Sequence, residues 1–332
     1  MISAKSLGAM PEFIRAEIGT VALETVMKRV GMPQAVLDNR DHYIPEAMLA
    51  QFLEQSALIS GEAELGLLIS PHLSVRDYDI WGEYVLAAPT LEESLNRAIR
   101  AISLHSADKV ELNYHENGLA SFSYDFQSRQ VDGYRHISPC AVGAVLSIFR
   151  HYLGPHWRPI CVYLDVQDLG NADRFEENFG CPVQFGRRLP AIIFNGVELD
   201  SQNGSKMRPT VTLNDVRRAR FGGVPASAKG STWELIMLQM LDGKPSLEDA
   251  ARLMQVGVRR LQRSLSQEGV TFRELANLAT VQRASELLSD SYMSVTEISM
   301  HLGYSSAAHF ARAFRSQTGL SPTAYRDRSR HS

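Results

Sequence analysis

The stretch Ser294–Arg326, SVTEISMHLGYSSAAHFARAFRSQTGLSPTAYR, has the pattern of two short helices joined by a tight turn. Residues suited to a buried face recur in its first half at i, i+3, i+4 and i+7, the spacing of one side of a helix. That face consists of Val295, Ile298, Ser299 and Leu302. Gly303 follows, and glycine readily adopts the left-handed conformation that ends a helix. The first helix is therefore predicted to stop at Gly303.

The second half of the same stretch predicts another helix. Ser305 or Ser306 can cap its start by accepting a hydrogen bond from a free backbone N–H. Phe310 and Phe314 lie one turn apart and form its buried face, and Gly319 ends it. Two helices joined by a short turn form a helix-turn-helix, whose second helix can enter a DNA major groove. Spacing alone leaves open a plain helical corner within a bundle.

The residue types of this stretch resemble the signature of the AraC/XylS family of bacterial transcription regulators. The resemblance is carried by Gly303-Tyr304, Phe310-Ala311-Arg312-Ala313-Phe314-Arg315, Thr318-Gly319-Leu320-Ser321-Pro322 and Tyr325-Arg326. It implies a sequence-specific transcription regulator that binds double-stranded promoter or operator DNA. It further implies action as an activator and a contact with RNA polymerase.

Another helix-turn-helix, called the first motif here, is predicted upstream at about residues 246–266. Its sequence Leu247–Gly269, LEDAARLMQVGVRRLQRSLSQEG, resembles the corresponding motif of the same family. A serine or threonine is usual where Gly257 stands, and glycine at a helix start costs only a few tenths of a kcal/mol. A helix at about residues 271–289 connects it to the second motif, at about 294–316. Residues 229–332 are therefore expected to form an all-α DNA-binding domain.

The side chains opposite the buried Leu261 and Leu265 are the predicted DNA-reading residues of the first motif. They are Arg259, Gln262 and Arg263, with Arg260 at the edge of the face. Arginine can pair bidentately with guanine, and glutamine with adenine. The resemblance assigns base reading to the first three positions. The alternative is that the arginines only hold DNA phosphates.

The matching face of the second motif consists of Ala307, Ala308, His309 and Arg312. An alanine offers a base only apolar contact, for example with the methyl group of thymine. Only His309 and Arg312 carry hydrogen-bond donors. The second motif is therefore expected to read less sequence than the first.

Residues 1–200 are predicted to form one α+β domain, with helices first and a mainly antiparallel sheet after them. An amphipathic helix is predicted over Pro11–Val30. Alternating residues on both sides of Asn117-Gly118 predict a β-hairpin, because this dipeptide favours a tight turn. A further helix, Pro139–Tyr152, is expected to cross the sheet.

The segment Glu64–Leu95 resembles the arabinose-binding-domain-like N-terminal domain of one branch of the AraC family. The resemblance implies a small-molecule effector and a homodimer. An interaction module without a ligand, in a constitutive or partner-regulated DNA-binding protein, remains the alternative. Four aromatic residues can either line a pocket or simply pack in the core, and core packing is favoured: Phe122, Tyr124, Phe126 and Tyr163.

Charge is distributed unevenly along the 332 residues. Their formal net charge is −3, but the residues from Lys229 onward carry 13 Lys and Arg against 10 Asp and Glu, and the preceding residues carry −6. Residues 201–228 are rich in Ser, Gly, Pro and Asn and are predicted to be a linker. The basic run Arg217-Arg218-Ala219-Arg220 within it either touches DNA phosphates or, the favoured interpretation, forms the solvated face of a short helix.

The sequence predicts neither a cofactor, a metal site nor an enzyme. Cys140, Cys161 and Cys181 are scattered and odd in number, which favours reduced thiols in the cytoplasm. Three histidines, His136, His151 and His156, show no recurrent metal-ligand spacing. A nucleophilic set of Ser138, Cys140 and His151 has no motif to support it. The longest apolar run is too short to cross a bilayer, and a membrane association is not expected.

Overall fold

A computed structural model describes residues 1–204, 211–220 and 223–330. Its internal contacts divide the chain into an N-terminal unit, Met1–Val224, and a C-terminal unit, Pro225–Ser332. The described helices contain no segment suited to crossing a membrane.

The N-terminal unit combines helices with a five-stranded sheet. Its helices are α1 (Met10–Glu17), α2 (Thr20–Val30), α3 (Ala35–Asp38), α4 (Glu46–Ser60), α5 (Leu65–Ile69), α6 (Ile80–Leu86), α7 (Leu91–Ala101), α8 (Tyr134–Leu153), α9 (Ala172–Phe179) and α10 (Leu213–Ala219). Its strands are β1 (Ile2–Ser3), β2 (Tyr43–Ile44), β3 (Lys109–Tyr114), β4 (Leu119–Asp125), β5 (Cys161–Tyr163), β6 (Val183–Gln184) and β7 (Ala191–Asn195).

The large sheet has the strand order β3-β4-β7-β5-β6, and only the β5–β6 pair is parallel. β3 and β4 form the predicted hairpin around Asn117-Gly118, with Leu112 opposite Phe122. Strand β4, which lies between β3 and β7, places Phe122 in the core, where the residue is 3% exposed. Helix α8 packs against β7, and the rings of Phe149 and Phe194 meet at 4.8 Å. These elements confirm the predicted α+β fold.

The predicted helix Pro11–Val30 is wrong as a single element, because the chain breaks between α1 and α2. Gly19 lies at the break with a φ of 111°, a conformation that other residues rarely adopt and that a continuous helix excludes. Val21, in the first turn of α2, is 76% exposed. The apolar periodicity of the two helices is nearly continuous across the break, so periodicity alone did not reveal it.

Helix α8 begins at Tyr134, five residues before the predicted start at Pro139. Proline lacks a backbone N–H, so Pro139 inside α8 leaves one helical hydrogen bond unmade. Close packing holds the helix there, since Gly66 of α5 lies directly against it. A Cβ atom on Gly66 would meet the backbone oxygen of His136 at 2.4 Å. The early start therefore depends on tertiary packing and not on local preference.

Part of the predicted linker 201–228 is helical in the structure, since α10 lies within it. Residues 205–210 and 221–222 of the linker lie outside the described residues. Helix α10 is part of the N-terminal unit and packs against α6. Arg217 and Arg218 are exposed on it, as a solvated helix face requires. Arg220 is instead buried, with its guanidinium bonded to the Ser3 hydroxyl at 2.6 Å and the Tyr78 carbonyl at 2.9 Å. Arg220 therefore belongs to the fold and not to a solvated face.

The C-terminal unit consists of helices. They are α11 (Ala228–Gln239), α12 (Leu247–Leu253), α13 (Val258–Gln267), α14 (Phe272–Asp290), α15 (Val295–His301), α16 (Ala307–Thr318) and α17 (Pro322–Arg330). The long α14 packs against α11, α15, α16 and α17, and α11 also contacts α12 and α13. This arrangement confirms the predicted all-α domain with two helix-turn-helix motifs joined by a long helix.

Candidate DNA-binding surface and ligand cavity

The first motif is formed by α12 and α13. Ser246 caps α12 by accepting a hydrogen bond from the Asp249 backbone N–H. Gly257 starts α13 without a side-chain cap, as its sequence predicts. Leu261 and Leu265 anchor α13 in the core, at 2% and 1% exposure. Their spacing of one turn fixes which side of α13 remains outside.

That outer side, the α13 face, carries Arg259, Arg260, Gln262 and Arg263, all of which are exposed. None of the four side chains has a hydrogen-bond or ion-pair partner among the residues that the structure describes. Three cations that lie close together without counter-charges do not stabilise the fold. The α13 face is thus free to meet an anionic partner, and its side chains have the donors that base edges accept.

The second motif is formed by α15 and α16. Ser294 and Glu297 make a complete capping box at the start of α15, and Ser306, one of the two predicted caps, accepts from the His309 N–H at the start of α16. Phe310 and Phe314 are each 1% exposed. The second aromatic ring meets Tyr325 edge-on at 5.4 Å, so α17 covers the inner side of the motif.

The outer side of the second motif, the α16 face, carries Ala307, Ala308, His309 and Arg312. Ala307 is half-buried and the other three residues are exposed. The His309 ring contacts Tyr304 edge-on at 5.4 Å, which leaves Arg312 as the side chain of this face without a partner in the described residues. The α16 face therefore has fewer free donors than the α13 face.

Arg315 was not among the predicted DNA-binding residues. It is exposed, lies one turn after Arg312 and has no side-chain partner within the described ranges. The i, i+4, i+7 series Ala308, Arg312, Arg315 was available from the sequence and places the additional cation on the same side of α16.

Helix α14 holds the two motifs at a set spacing within the C-terminal unit. Its 19 residues make it roughly 28 Å long, and Thr271 and Glu274 close a capping box at its start. Arg326 of α17 ties down its other end by donating to the carbonyl oxygens of Leu288 at 3.2 Å and Met293 at 2.6 Å. Rigid spacing suits two helices that enter successive turns of one DNA groove.

The N-terminal unit contains a cavity of about 70 Å³. Most of its lining is aliphatic or aromatic, with residues from α4, α7, α8, β3 and β4. The aromatic residues of the lining are Tyr78, Trp81, Phe122, Tyr124 and Phe126. Three of the four aromatic residues considered from the sequence thus line a cavity, and Tyr163 does not.

His105 is one of the polar residues that line the cavity, and sequence reasoning missed it. Its ring stacks on Tyr78 at 4.5 Å and contacts Trp81 at 5.0 Å. Nε2 bonds to the Ser6 hydroxyl at 2.9 Å, whereas the buried Nδ1 has no partner in the described part of the chain. Burial and the nearby Arg220 lower the pKa of His105 to about 3, so the ring is neutral at pH 7. No motif marks this histidine in the sequence.

Two carboxylates lie at a smaller cavity of about 20 Å³, which shares lining residues with the first. They belong to Glu46 and Asp108. Asp108 accepts hydrogen bonds from the Ser106 hydroxyl, the Tyr124 hydroxyl at 3.3 Å and the Gln127 N–H at 2.9 Å. Burial, with a further contribution from Glu46, raises the pKa of Asp108 to about 6. The neighbouring carboxylates disfavour an anion in this region.

The residues weighed for metal binding or catalysis have other contacts. The Ser138 hydroxyl donates to Asp165 at 2.9 Å, and the Cys140 thiol donates to the Gly66 carbonyl at 3.3 Å. Nδ1 of His151 lies 3.3 Å from the Arg76 guanidinium. Cys140, Cys161 and Cys181 are buried free thiols.

The C-terminal unit holds two helix-turn-helix motifs on one long helix, and the N-terminal α+β unit contains an apolar cavity. These features define a DNA-binding regulator with a sensor-like domain. The family model for the arabinose-binding N-terminal domain of AraC transcription regulators matches residues 21–203, and a helix-turn-helix domain model matches 250–328. The chain belongs to the AraC-type family of DNA-binding transcription regulators.

Curated relatives extend over nearly the whole chain. The HTH-type transcriptional regulator VqsM of Pseudomonas aeruginosa is 25% identical over 321 residues, covering 89% of this chain and 95% of that protein. The ornithine utilization regulator of the same organism is 23% identical, covering 94% of this chain and 92% of that protein. A solved structure, the transcriptional regulator CdpR of P. aeruginosa, aligns over 92% of this chain and 98% of its own at 21% identity and a TM-score of 0.42.

Proposed function

We propose that this transcription regulator is an activator whose N-terminal unit binds a small-molecule effector. The observation that carries the proposal is the apolar cavity of about 70 Å³, whose few polar lining residues include His105. Ligand sites are concave and mainly apolar, with few polar groups that orient the ligand. A module that only bound another protein would need an exposed apolar patch and no such cavity.

A thermal-shift screen of the full chain against metabolites tests the effector proposal. A bound compound stabilises the folded protein by RT ln(1 + [L]/Kd). Ala144 lines the cavity and is 5% exposed, so Ala144→Leu fills part of it. Ala16→Leu on the exposed side of α1 is the matched control. We expect at least one compound to stabilise the wild type and the control but not Ala144→Leu, and to change DNA affinity. A screen in which Ala144→Leu responds like the wild type contradicts an effector in the cavity.

For DNA recognition we propose that the α13 face reads bases and the α16 face chiefly adds phosphate contacts. The unpaired Arg259, Arg260 and Arg263 support the first part, and the small Ala307 and Ala308 support the second. Gln262, His309 and Arg312 complete the proposed set, to which Arg315 is added. A selection of binding sites from randomised DNA duplexes, repeated with alanine variants of each face, tests the assignment.

We further propose a homodimer formed through the N-terminal unit, in the cytoplasm, and a contact with RNA polymerase on DNA. The net charge of −6 before Lys229 makes this part unsuited to DNA phosphates, and dimerisation would double the operator contacts. Light scattering that gives a monomer at tens of micromolar, free and on DNA, contradicts the dimer. Transcription in vitro with bacterial RNA polymerase tests activation, and repression of the selected promoter contradicts it.

A further inference from the structure

We propose that Glu268 is a positioning residue for DNA recognition, because its carboxylate caps the start of α11 and thereby fixes the direction of α13. The inference rests on the proposed function, since it takes α13 as the helix that reads bases. Glu268 itself needs no contact with DNA. Its part is to hold the α13 face in place for the residues that make such contacts.

The first three backbone N–H groups of α11 all have partners, and Glu268 supplies two of them. Its carboxylate oxygens accept hydrogen bonds from the N–H groups of Ala228 at 2.9 Å and Lys229 at 3.2 Å. The third N–H, that of Gly230, donates to the Ser227 hydroxyl at 3.0 Å. Because the first N–H groups of a helix have no partner within the helix, such a cap stabilises its start.

The backbone of Glu268 is at the same time the end of α13. Its N–H donates to the carbonyl oxygens of Ser264 at 3.3 Å and Leu265 at 3.0 Å, and the N–H of Val270 returns to Leu265 at 3.1 Å. Gly269 has a φ of 73°, the left-handed conformation that commonly ends a helix. The carboxylate therefore projects from a turn that is fixed to α13, and its bonds to α11 constrain α13 directly.

The rest of α13 has few polar attachments to the unit. Gly257 starts it without a side-chain cap, and in the described part of the chain no side chain of Val258–Gln267 forms a hydrogen bond or an ion pair. Leu261 and Leu265 hold the inner side by apolar packing, which is non-directional. The two hydrogen bonds of Glu268 are therefore the side-chain attachment that sets the direction of α13.

The charge of Glu268 supports the same role. An anion at the C-terminal end of α13 is unfavourable for this helix, whereas an anion at the N-terminal end of α11 is favourable. A carboxylate beside a DNA-reading helix also repels phosphates. Removing the charge alone would therefore strengthen DNA binding, and losing the attachment would weaken it. The two effects have opposite signs, so DNA affinity distinguishes them.

The first test is a fluorescence anisotropy titration of the full chain with a duplex that the wild type selects from randomised DNA. We expect Glu268→Ala to bind it about fivefold more weakly, the factor that corresponds to a helix cap of ordinary strength. Glu268→Gln keeps one acceptor oxygen and should lie between Glu268→Ala and the wild type. Asp290→Asn is the control for charge, because Asp290 is exposed and has no partner among the described residues. It should bind at least as tightly as the wild type.

Ala228→Pro tests the attachment from the side of α11. Proline is favourable at the first position of a helix, and Ser227 before it has the extended φ of −111° and ψ of 160° that a following proline requires. The change removes an N–H that Glu268 accepts and leaves every charge in place. Ala228→Ser, which keeps the N–H, is the matched control. We expect Ala228→Pro to weaken binding about twofold, and Glu268→Ala to have a smaller effect in that background than in the wild type.

Hydrogen exchange read by mass spectrometry separates positioning from a general loss of stability. In Glu268→Ala the amides of Val258–Gln267 should exchange about fivefold faster, and those of α16 at the wild-type rate. Equal changes in α13 and α16 overturn the proposal, as do additive effects of Glu268→Ala and Ala228→Pro. Wild-type affinity in Glu268→Ala, alongside weakened binding in Arg263→Ala, also overturns it. Wild-type affinity in both variants instead refutes the reading role of α13 on which the proposal rests.

Discussion

Arg220 donates a hydrogen bond from its guanidinium to the backbone carbonyl oxygen of Tyr78, at 2.9 Å, and both side chains are buried. Tyr78 lines the cavity, and Arg220 directly follows α10, the last helix of the N-terminal unit. A second bond from the same guanidinium reaches Ser3, next to the lining residue Ile2. A movement of Tyr78 or Ser3 would therefore displace Arg220, the residue that follows α10.

Replacing Arg220 with methionine should loosen α10. The change keeps an apolar stem but removes the donors to Tyr78 and Ser3. Hydrogen exchange read by mass spectrometry should show amides of residues 213–219 exchanging at least about tenfold faster, which corresponds to about 1.4 kcal/mol of local opening. Arg218→Met is the control, because the Arg218–Asp215 pair is at the surface and contributes little. Equal exchange in Arg220→Met and wild type would show that Arg220 does not hold α10.

Gln255 lies in the turn of the first motif with a φ of 55°, a left-handed conformation that costs a non-glycine residue about 1–2 kcal/mol. Gln255→Gly should stabilise the motif by about 0.5–1 kcal/mol, after the larger chain entropy of glycine is subtracted. Gly303 has a φ of 74° in the turn of the second motif. Gly303→Gln, the reverse change, should destabilise its motif. Urea-dependent hydrogen exchange of α12–α13 and α15–α16 measures both, and a loss of stability in Gln255→Gly would refute the strain.

Asp108 should give the N-terminal unit a stability that depends on pH. Its pKa is raised to about 6 in the folded protein, against about 3.9 in an unfolded chain. The folded state therefore binds the proton more tightly, and this contribution is fully present below pH 4 and lost as the pH rises through 6. Between pH 4.5 and 7.5 the unfolding free energy should fall by about 2 kcal/mol relative to Asp108→Asn. A difference between the two proteins that does not change with pH would contradict the raised pKa.

Local sequence patterns predicted most of the helices and strands of the fold. Alternation around Asn117-Gly118 predicted the β3–β4 hairpin, and Phe310 with Phe314 predicted the inner side of α16. The early start of α8 at Tyr134 depends on packing against α5, which no local pattern records. The break at Gly19 was missed because the apolar periodicity is nearly continuous across it. The cavity was harder still to predict from the sequence, because Ser6, Tyr78 and His105 come together only in the folded unit. Phe122, Tyr124 and Phe126 alternate along one strand in the sequence. The same alternation is expected whether the aromatic residues pack in a core or line a cavity.

The isolated segment 225–332 should fold and bind DNA, because both motifs and α14 pack within the C-terminal unit. Its affinity should fall steeply with salt, since phosphate contacts by arginine release counterions from DNA. Electrophoretic mobility shifts at several salt concentrations measure this. A segment with native helical content that shows no DNA binding at low salt would contradict it.

Arg263 on α13 and Arg312 on α16 occupy equivalent places in the two motifs, and we expect them to play different roles on DNA. Both are exposed and unpaired within the described residues, but Gln262 and Arg259 flank the first, whereas Ala308 precedes the second by one turn. A bidentate base contact contributes about 1–3 kcal/mol of discrimination, and a phosphate contact contributes none directly.

The most direct measurement is therefore one binding series of the full chain over randomised duplexes at several salt concentrations, with wild type, Arg263→Ala and Arg312→Ala. We predict that Arg263→Ala relaxes base preference at one defined position. Arg312→Ala should weaken binding to all sequences alike and reduce the salt slope by about one unit. A larger change of base preference in Arg312→Ala than in Arg263→Ala would contradict the account.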